Sequence, residues 1–460
     1  MFVPRLQNSP LFRPTSLVLT TALHTAACQP QEIPLDRPPQ FPDDAATGSS
    51  DTTATDGSTG DETSGPPDLP DCEPTPCAGL LDKTRGDEGT GLCISFEETQ
   101  QQVYLNSNGA LNGISVTDYN KDGYPDVFLL RNGAPNRLFR NDGGMFQTST
   151  LTTGLNFGGD TQAAIWGDHD YDGDVDLLLV TDAGSDLYEN QNGTYELLPD
   201  NLGIHDPNPG KTAAFLKGGI LIATENGTRF YERLFSDSFT ESTLAYGLDD
   251  PGDGVAIAVA DYDGDGLEDI YLANSTGYNR LFRQLVNESY DSVEDETGTV
   301  GSGNSTDVVS FYHNGQDKPD FYVTNYGEAQ PSPRNDFFVN QQDGTFIESA
   351  QLFGLQDPGN TTQVAVADAL GDGLPVVFLG RWEQQNLLYL PVLDDNGDVT
   401  HYLDIAHPLG MDINGQTIGA EWLDYDQDGL PDLLVAMANG ALHLYHNTTH
   451  EVELCPEEDG

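Results

Sequence analysis

The sequence of 460 residues is long enough for one large domain or for two to three ordinary ones, and its 37% hydrophobic content allows a substantial core. The 75 acidic residues far outnumber the 18 basic ones, and the resulting net charge of −57 argues against a nucleic-acid backbone or an anionic membrane surface as a direct partner. The 50 glycines, 28 prolines, 20 Phe and 19 Tyr favour many short strands joined by tight turns.

Residues 1–27 predict an export signal. Arg5 and Arg13 precede an apolar stretch at 17–27 that is too short for a spanning helix, and the segment holds no acidic residue. The tetrapeptide at 25–28, Thr-Ala-Ala-Cys, resembles a bacterial lipobox, so we expect lipidation of Cys28 after cleavage. An ordinary signal peptide with cleavage nearby is the alternative.

Residues 28–92 predict a disordered linker between the export signal and the folded part. The segment contains a low-complexity tract rich in Ser, Thr, Gly and Asp, with almost nothing to bury. Within it, Cys72 and Cys77 are close enough in sequence for a small local disulfide, which suits an oxidising compartment.

A repeated pattern, D-x-[DN]-x-D-G-x-x-D, organises residues 93–460. Each complete copy lies between two apolar strands, and the starting positions 118, 168, 261 and 424 are separated by one, two and three units of about 50 residues. Seven units are therefore expected. Numbered by unit, the complete copies are loop 1 (118–126), loop 2 (168–176), loop 4 (261–269) and loop 7 (424–432); degenerate copies are loop 5 (312–320) and loop 6 (368–376); and 213–223 keeps its strands without the loop.

A second pattern gives the same count. A strand that opens with an aromatic residue runs into a Gly-Leu-like end, as in Phe146 followed by Gly154-Leu155, and this pattern also recurs about seven times. A further strand lies between the two patterns. Four short strands in each unit of about 50 residues are typical of a propeller blade, so residues 93–460 predict an all-β fold, a seven-bladed β-propeller of four-stranded blades.

The offset between the two patterns predicts how the ring closes. Phe96 begins an aromatic strand before loop 1, whereas loop 7 is followed by two strands and little further chain. The strand at Phe96 would therefore complete the last blade and remove an open sheet edge. The alternative is that residues 452–454 complete that blade themselves. A Cys93–Cys455 disulfide would staple the closure.

The loops carry the chemistry of a cation site, because oxygen ligands at alternating positions of a tight turn suit a hard divalent ion. In loop 4, the carboxylates of Asp261, Asp263, Asp265 and Asp269 would converge, with the carbonyl of Leu267 as a further ligand. So many carboxylates remain ionised cheaply only around a cation, and calcium is favoured over magnesium, which prefers water-rich octahedral sites. An EF-hand is excluded because position 12 of each loop is a Leu or Val inside a strand.

At these residues the chain resembles the FG-GAP/VCBS repeats of integrin α-subunit propellers and their bacterial relatives, and most of all the propellers found before ASPIC/UnbV domains. The fragments 133–135 (Gly-Ala-Pro) and 136–141 (Asn-Arg-Leu-Phe-Arg-Asn) add to the likeness, which covers about residues 93–450. No inserted ligand-binding domain and no ASPIC/UnbV region is recognisable in the sequence, so functions that reside in those regions are not expected here.

The resemblance implies that loop positions 1, 3, 5 and 9 bind calcium through side chains and position 7 through its carbonyl, giving about four ions. The implied ligands are Asp118, Asn120, Asp122, Tyr124 and Asp126 in loop 1; Asp168, Asp170, Asp172, Asp174 and Asp176 in loop 2; Asp261, Asp263, Asp265, Leu267 and Asp269 in loop 4; and Asp424, Asp426, Asp428, Leu430 and Asp432 in loop 7. Asn120 lowers the charge of loop 1, while Tyr312, Gln316, Leu370 and Val376 spoil loops 5 and 6.

These features favour an exported, monomeric calcium-binding propeller, secreted or anchored in a bacterial cell envelope, that binds an extracellular protein or glycan. Contact with a membrane is expected only through a lipid on Cys28, and nucleic acid is not expected as a partner. An extracellular polysaccharide-active enzyme with its site at the propeller channel mouth is the alternative, and a structural envelope module is a third. No catalytic residues stand out. We predict no metal site from His443, His446 and His450, because strand residues three apart point to opposite faces.

Overall fold

The computed structural model describes residues 31–32, 77, 79–82, 90–99, 103–156, 161–206, 208–235, 238–301, 303–327 and 334–453. The expected export signal at 1–27, the lipidation of Cys28, and both Cys72 and Cys455 lie outside these residues. Within the described part of the chain, no helix has the length and apolar character needed to span a bilayer. The described residues fall into two compact units, one of residues 95–449 and one that contains 77–94 and 450–453.

Most of the regular secondary structure of the described residues is β-strand. In chain order the strands are β1 Gln31–Glu32, β2 Leu80–Asp82, β3 Thr90–Ile94, β4 Phe96–Glu98, β5 Leu111–Thr117, β6 Asp126–Arg131, β7 Arg137–Asn141, β8 Phe146–Thr148, β9 Thr161–Gly167, β10 Asp176–Thr181, β11 Gly184–Asn190, β12 Tyr195–Leu197, β13 Gly210–Leu216, β14 Gly219–Thr224, β15 Gly227–Arg233, β16 Phe239–Glu241, β17 Gly254–Ala260, β18 Asp269–Asn274, β19 Arg280–Gln284, β20 Tyr290–Ser292, β21 Ser305–Phe311, β22 Asp320–Asn325, β23 Asp336–Asn340, β24 Phe346–Glu348, β25 Thr361–Ala367, β26 Val376–Gln385, β27 Leu387–Leu393, β28 Val399–Asp404, β29 Asn414–Leu423, β30 Asp432–Met437, β31 Leu442–Asn447 and β32 His450–Glu453. Single helical turns follow the outer strands: α1 Thr150–Thr153, a 3-10 turn Pro199–Gly203, α2 Thr243–Tyr246, α3 Glu294–Thr297 and α4 Ala350–Phe353.

The first unit is a seven-bladed β-propeller, as predicted. Blades 1 to 6 are consecutive antiparallel four-stranded sheets, from β5–β8 to β25–β28, and blade 7 combines β29, β30 and β31 with β4. Strands β26 and β29 also pair, so the sixth and seventh blades are joined into one eight-stranded sheet. Blade 3 keeps its strands without an Asp loop, because β13 and β14 are joined directly by Lys217 and Gly218.

The second strand of each blade is buried on both faces, and its alternate side chains serve two neighbouring blades. On β6, Val127 and Leu129 pack with Leu434 of blade 7, whereas Phe128 packs with Leu177 of blade 2. All five side chains are 0% exposed. Burying each large apolar side chain contributes roughly 1.5–3 kcal/mol, so the ring is held together mainly by the interfaces between its blades.

Closure of the ring occurs through β4, as predicted from Phe96. The register places Phe96 opposite Asn447 and Glu98 opposite Tyr445. The alternative, in which residues 452–454 complete the last blade, is wrong as far as the described residues show, because β32 pairs with β3 in the second unit. Leu454 lies outside the described residues.

The disulfide prediction is also wrong. Cys93 is bonded to Cys77, so neither the predicted Cys93–Cys455 bond nor the predicted Cys72–Cys77 bond forms. Cys77, Cys93 and Val452 form a small buried cluster within the sheet β1-β2-β3-β32. Strands β1 and β2 lie inside the segment predicted as a linker. The predicted boundary between the linker and the propeller, at residue 93, falls within β3. The bonded cysteines and the buried cluster around them give this region a small core of its own.

The Gly-Leu ends of the second pattern are helix ends that meet the next blade. Gly154 caps α1 with φ +82°, and a Cβ placed there would lie 2.7 Å from the carbonyl oxygen of Tyr195 in the following outer strand. Only glycine combines this backbone angle with so close an approach. The next residue, Leu155, is fully buried. Equivalent glycines with positive φ are Gly203, Gly247, Gly298 and Gly354. Gly410 also has positive φ, but it ends a turn, and no atom lies within 4 Å of a Cβ placed there.

Candidate functional site

The complete Asp loops connect the first and second strands of blades 1, 2, 4 and 7. In each, position 9 is the first residue of the second strand: Asp126 of β6, Asp176 of β10, Asp269 of β18 and Asp432 of β30. The loops are thus flanked by strands rather than by helices, as the sequence predicted.

A ladder of side-chain hydrogen bonds shapes every complete loop. The position-1 carboxylate accepts the backbone N–H of the glycine at position 6 at 2.8–3.1 Å, and the position-5 carboxylate accepts the N–H of position 7 at 2.7–3.0 Å. Position 1 is Asp118, Asp168, Asp261 or Asp424; position 5 is Asp122, Asp172, Asp265 or Asp428; and position 7 is Tyr124, Asp174, Leu267 or Leu430. Asp368 and Asp372 of degenerate loop 6 make the same bonds. The ladder therefore explains the turn but does not by itself require an ion.

Acidic groups converge in three of the four complete loops. Oxygens of positions 1, 3 and 5 lie within 4.8 Å of one another in loop 2 and in loop 4, and oxygens of positions 1, 3 and 9 do so in loop 7. The converging residues are Asp168, Asp170 and Asp172; Asp261, Asp263 and Asp265; and Asp424, Asp426 and Asp432. In loop 1, Asn120 holds position 3, so only Asp118 and Asp122 offer carboxylates at the first three ligand positions.

Burial and mutual repulsion make it unfavourable for the loop carboxylates to stay charged without a proton or a cation to neutralise them. Burial, and then the charge of Asp265, raises the pKa of Asp263 above its usual range. Burial likewise raises the pKa of Asp168 and of Asp424. In loop 2 the Oδ1 atom of Asp168 is buried and accepts no hydrogen bond from the described residues. An approaching cation would compensate both the lost hydration and the mutual repulsion.

Position 9 differs from the other predicted ligands because backbone groups already bind it. Oδ2 of Asp126 accepts the N–H of Tyr119 at 3.2 Å, and its Oδ1 accepts that of Asn141 at 2.7 Å. Asp176 and Asp269 are bound in the same way, at 2.8–3.1 Å. Burial raises the pKa of Asp126 to about 8 and that of Asp269 to about 7. Asp126 and Asp269 join no group of three converging acids or histidines among the described residues, so position 9 of loops 1 and 4 primarily anchors the second and third strands. Asp176 converges with His169 and Asp170, and Asp432 with Asp424 and Asp426.

Loop 1 contacts loop 2 through a lysine. Lys121 Nζ lies 2.6 Å from Asp174 Oδ1 and also donates to the carbonyl of Gly173. The hydrogen bond from Lys121 lowers the pKa of Asp174. The side chain of Asp174 is therefore engaged outside its own loop, which leaves its carbonyl as the predicted ligand.

Loop 7 includes a residue that the sequence argument missed. His446 lies on β31, and its Nδ1 is 3.4 Å from Asp426 Oδ2 and 3.5 Å from Asp432 Oδ1. A group of Asp426, Asp428 and His446 has its ligand atoms within 4.8 Å. His443 points elsewhere, with Nδ1 2.7 Å from Glu98, as the alternation of strand faces predicted. In the sequence, His446 directly precedes Asn447. This position, rather than its spacing from the other histidines, indicates that its side chain lies beside loop 7.

A cavity of about 1320 Å³ lies where the inner strands of blades 3 to 6 end and the loops begin. Its lining includes Tyr171, Phe215 and Phe311 together with Lys217 and Arg233. The guanidinium of Arg233 stacks over the ring of Tyr171 at 4.9 Å from the ring centre. Aromatic and cationic groups thus stand side by side at one mouth of the ring.

Seven four-stranded blades, four of them with a complete Asp-rich hairpin, define residues 95–449 as a seven-bladed β-propeller. Residues 118–179 match the FG-GAP-like repeat family, which confirms the resemblance predicted from the loops. Among curated proteins, the chain is similar to cartilage acidic protein 1 of Xenopus tropicalis, at 26% identity over 46% of this chain and 35% of that protein. Its likeness to the human cartilage acidic protein 1 is 25% identity over 45% of this chain and 44% of that protein. The chain thus spans less than half the length of the curated relatives it matches.

Solved structures also resemble this chain. BBS1N, in a crystal structure of its complex with ARL6DN, gives a TM-score of 0.49 at 10% identity over 74% of this chain and 96% of that one. The extracellular domain of a one-component system from B. thetaiotaomicron gives a TM-score of 0.42 at 15% identity, over 76% of this chain and 40% of that one.

Proposed function

We propose that this chain is a calcium-stabilised propeller that works outside the cell and binds an extracellular protein or glycan. The observation that carries the calcium part is the convergence of three acidic groups within 4.8 Å in each of loops 2, 4 and 7. Like charges so close together repel one another unless a cation lies between them. All-oxygen ligand sets of this kind suit calcium.

About four ions are proposed, one in each complete loop, held by the side chains at positions 1, 3, 5 and 9 and by the carbonyl of position 7. Position 9 would contribute through lone pairs left free by its backbone hydrogen bonds, of which it accepts two in loops 1, 2 and 4 and one in loop 7. Loop 1 should bind most weakly, because Asn120 removes one charge. Calcium titration of the chelator-stripped protein, followed by calorimetry and native mass spectrometry, should count about four ions, the last to bind belonging to loop 1. No bound calcium at millimolar concentration would refute this part of the proposal.

The proposed location is extracellular. Calcium modules outside cells bind at about 10⁻⁴–10⁻³ M, so loops of this kind fill there and stay empty in a cytoplasm. The net charge of −57 supports solubility in that setting. Anchoring through Cys28 is testable by palmitate labelling of the cell-produced protein, compared with Cys28→Ser. Label that persists in the Cys28→Ser variant would exclude this anchor.

The cavity at the loop side is the proposed contact surface, with the chain acting as a monomer. Its aromatic and cationic lining supports contacts to sugar rings or to acidic groups of a protein. Every acidic residue of the described lining belongs to an Asp loop, namely Asp168, Asp261, Glu268 and Asp368. That arrangement favours binding over hydrolysis, since an enzyme would need carboxylates that are free from the loops.

Binding and turnover can be separated with a matched pair of variants. Tyr171 and Tyr278 are similarly exposed, at 65% and 69%, but only Tyr171 lines the cavity. On arrays of extracellular glycans and matrix proteins, Tyr171→Ser should weaken binding at least about tenfold, as loss of an aromatic anchor does, whereas Tyr278→Ser should not. Release of product from any bound polysaccharide would instead support the enzyme alternative.

A further inference from the structure

We propose that loop 7 is a mixed nitrogen–oxygen site for a zinc-type transition-metal ion, with His446 as its nitrogen ligand. The inference rests on the proposed function only in that the loops hold divalent ions. It changes the metal at one loop and adds a ligand from outside the Asp pattern.

Three buried polar atoms of this loop make no hydrogen bond to the described residues. They are Nδ1 of His446, Oδ1 of Asp426 and Oδ1 of Asp432. Asp432 is 0% exposed. The imidazole nitrogen lies 3.5 Å from Asp432 Oδ1 and 3.4 Å from Asp426 Oδ2 without hydrogen-bond geometry to either. Buried polar atoms left unpaired in this way point to a missing partner between them.

Loop 2 has a histidine-containing group as well, His169, Asp170 and Asp176, but its hydrogen bonds differ from those of blade 7. The Oδ1 atom of the position-9 aspartate accepts a backbone N–H from the third strand at 2.7–2.8 Å in blades 1, 2, 4 and 5, but no such bond reaches Asp432. Histidines next to other loops are also paired: Nδ1 of His169 lies 2.6 Å from Asp176, and Nδ1 of His313 lies 2.6 Å from Asp320. Nδ1 of His446 lies 3.4 Å from Asp426 and 3.5 Å from Asp432, farther than the 2.6 Å of the other two histidines, and makes a hydrogen bond to neither carboxylate.

Neighbouring contacts hold the ligands in this orientation. The ring of Tyr425 packs edge-on against the imidazole, with 5.5 Å between ring centres. The N–H of Tyr425 binds Asp432 Oδ2 at 2.6 Å, which leaves Oδ1 turned toward His446. Preset ligand orientation of this kind lowers the entropic cost of binding an ion.

The donor set selects the metal. Calcium takes oxygen ligands, whereas imidazole nitrogen suits zinc, copper and nickel. Two overlapping groups of ligand atoms converge within 4.8 Å in this loop, one of Asp426, Asp428 and His446 and one of Asp424, Asp426 and Asp432. A zinc ion beside His446 would draw its three or four protein ligands from these two groups.

The test is a zinc titration of the full-length, metal-stripped protein, first without calcium and then at rising calcium concentration, with a chromophoric chelator as competitor. One tight zinc ion per chain is expected. His446→Ala should weaken it by more than about 100-fold, because even outer-shell changes at zinc sites cost about 10–100-fold. His443→Ala is the matched control, since both imidazoles lie on β31 and are 20% exposed. Nitrogen NMR of histidine-labelled wild type adds a readout without substitution, in which zinc should shift one imidazole Nδ1.

The outcomes separate this inference from the calcium proposal. Zinc affinity equal in wild type and His446→Ala, with no shifted imidazole, overturns the inference even if calcium fills the loops. Zinc bound through His446 in a protein that takes no calcium supports the inference and refutes the calcium proposal. If the protein binds neither metal, both fail, and the pair is then a simple histidine–aspartate ion pair.

Discussion

Replacing Asp265 by Asn isolates the contribution of an ion to loop 4. The amide keeps an oxygen that can accept the N–H of Leu267, a bond of 2.9 Å in the wild type, so the turn should survive. The substitution removes one of the three carboxylates that converge in this loop. Calcium binding at loop 4 should therefore be lost while the ladder of hydrogen bonds remains.

The expected loss follows from linkage. At about 10 mM calcium and a Kd of about 10⁻⁴–10⁻³ M, a filled site stabilises the folded state by about 1.4–2.7 kcal/mol. For a propeller of about 350 residues, that free energy corresponds to about 2–4 °C in Tm. In chelator, Asp265→Asn should melt at or slightly above the wild-type temperature, because it relieves repulsion with Asp261 and Asp263.

The matched control is Asp372→Asn in degenerate loop 6. Asp372 accepts the N–H of Leu374 at 3.0 Å, as Asp265 does that of Leu267, but Leu370 and Val376 stand where loop 4 has ligands. Differential scanning calorimetry with and without calcium compares the two variants. The reasoning is refuted if Asp265→Asn and Asp372→Asn reduce the calcium-dependent rise in Tm equally, or if neither does.

Three further predictions concern the ring, its inner strands and the second unit. Gly154→Ala should lower the free energy of unfolding by about 2–4 kcal/mol, whereas Gly133→Ala, with φ also positive but open space around it, should cost about 1 kcal/mol; denaturant titration compares them. Burial raises the pKa of Glu421 to about 8, so stability present below pH 4.5 should fall as the pH rises to about 8. Glu421→Gln should flatten this part of the profile and gain about 1–2 kcal/mol at pH 9, a value discounted because the side chain is only half-buried. Reducing the Cys77–Cys93 bond should destabilise the second unit by about 3 kcal/mol and speed amide exchange in β2 but not in β4.

Each of these has an outcome that contradicts it. Equal losses for the two glycine variants would show that the contact between blades is irrelevant. A pH profile that Glu421→Gln leaves unchanged would place the titration elsewhere. Exchange in β4 that accelerates together with β2 on reduction would mean that closure of the ring depends on the disulfide.

The architecture could be predicted because its signals are local and repeated. An Asp loop marks the hairpin between the first two strands, and the aromatic and glycine pattern marks the outer strand and the turn after it. Their fixed order within a unit also revealed that Phe96 begins a strand without a blade of its own. Such regularity lets spacing alone count blades, even where loops 5 and 6 have degenerated.

The features that were missed depend on contacts distant in sequence or unique to one place. The partner of Cys93 is set by the sheet β2-β3-β32, which has no repeated signature and joins residues from both ends of the chain. His446 approaches Asp426 only because β30 and β31 fold back on each other, a contact that the spacing between His443 and His446 along one strand does not indicate. The sequence pattern marks the aspartates of a loop in the same way. Only the structure shows that the position-9 aspartate is buried and accepts hydrogen bonds from backbone N–H groups.

The order of synthesis gives the closing strand a particular consequence. Phe96–Glu98 leaves the ribosome before every other strand of the propeller, yet its partner, Leu442–Asn447, is the last propeller strand to follow. A nascent or truncated chain that stops before residue 442 therefore leaves this strand without its partner, and an unpaired strand edge recruits other chains. Shortened versions from the carboxyl end should be prone to aggregate, whereas a circular permutant that begins at the start of blade 1 and carries β4 after β31 would form its last blade from contiguous sequence.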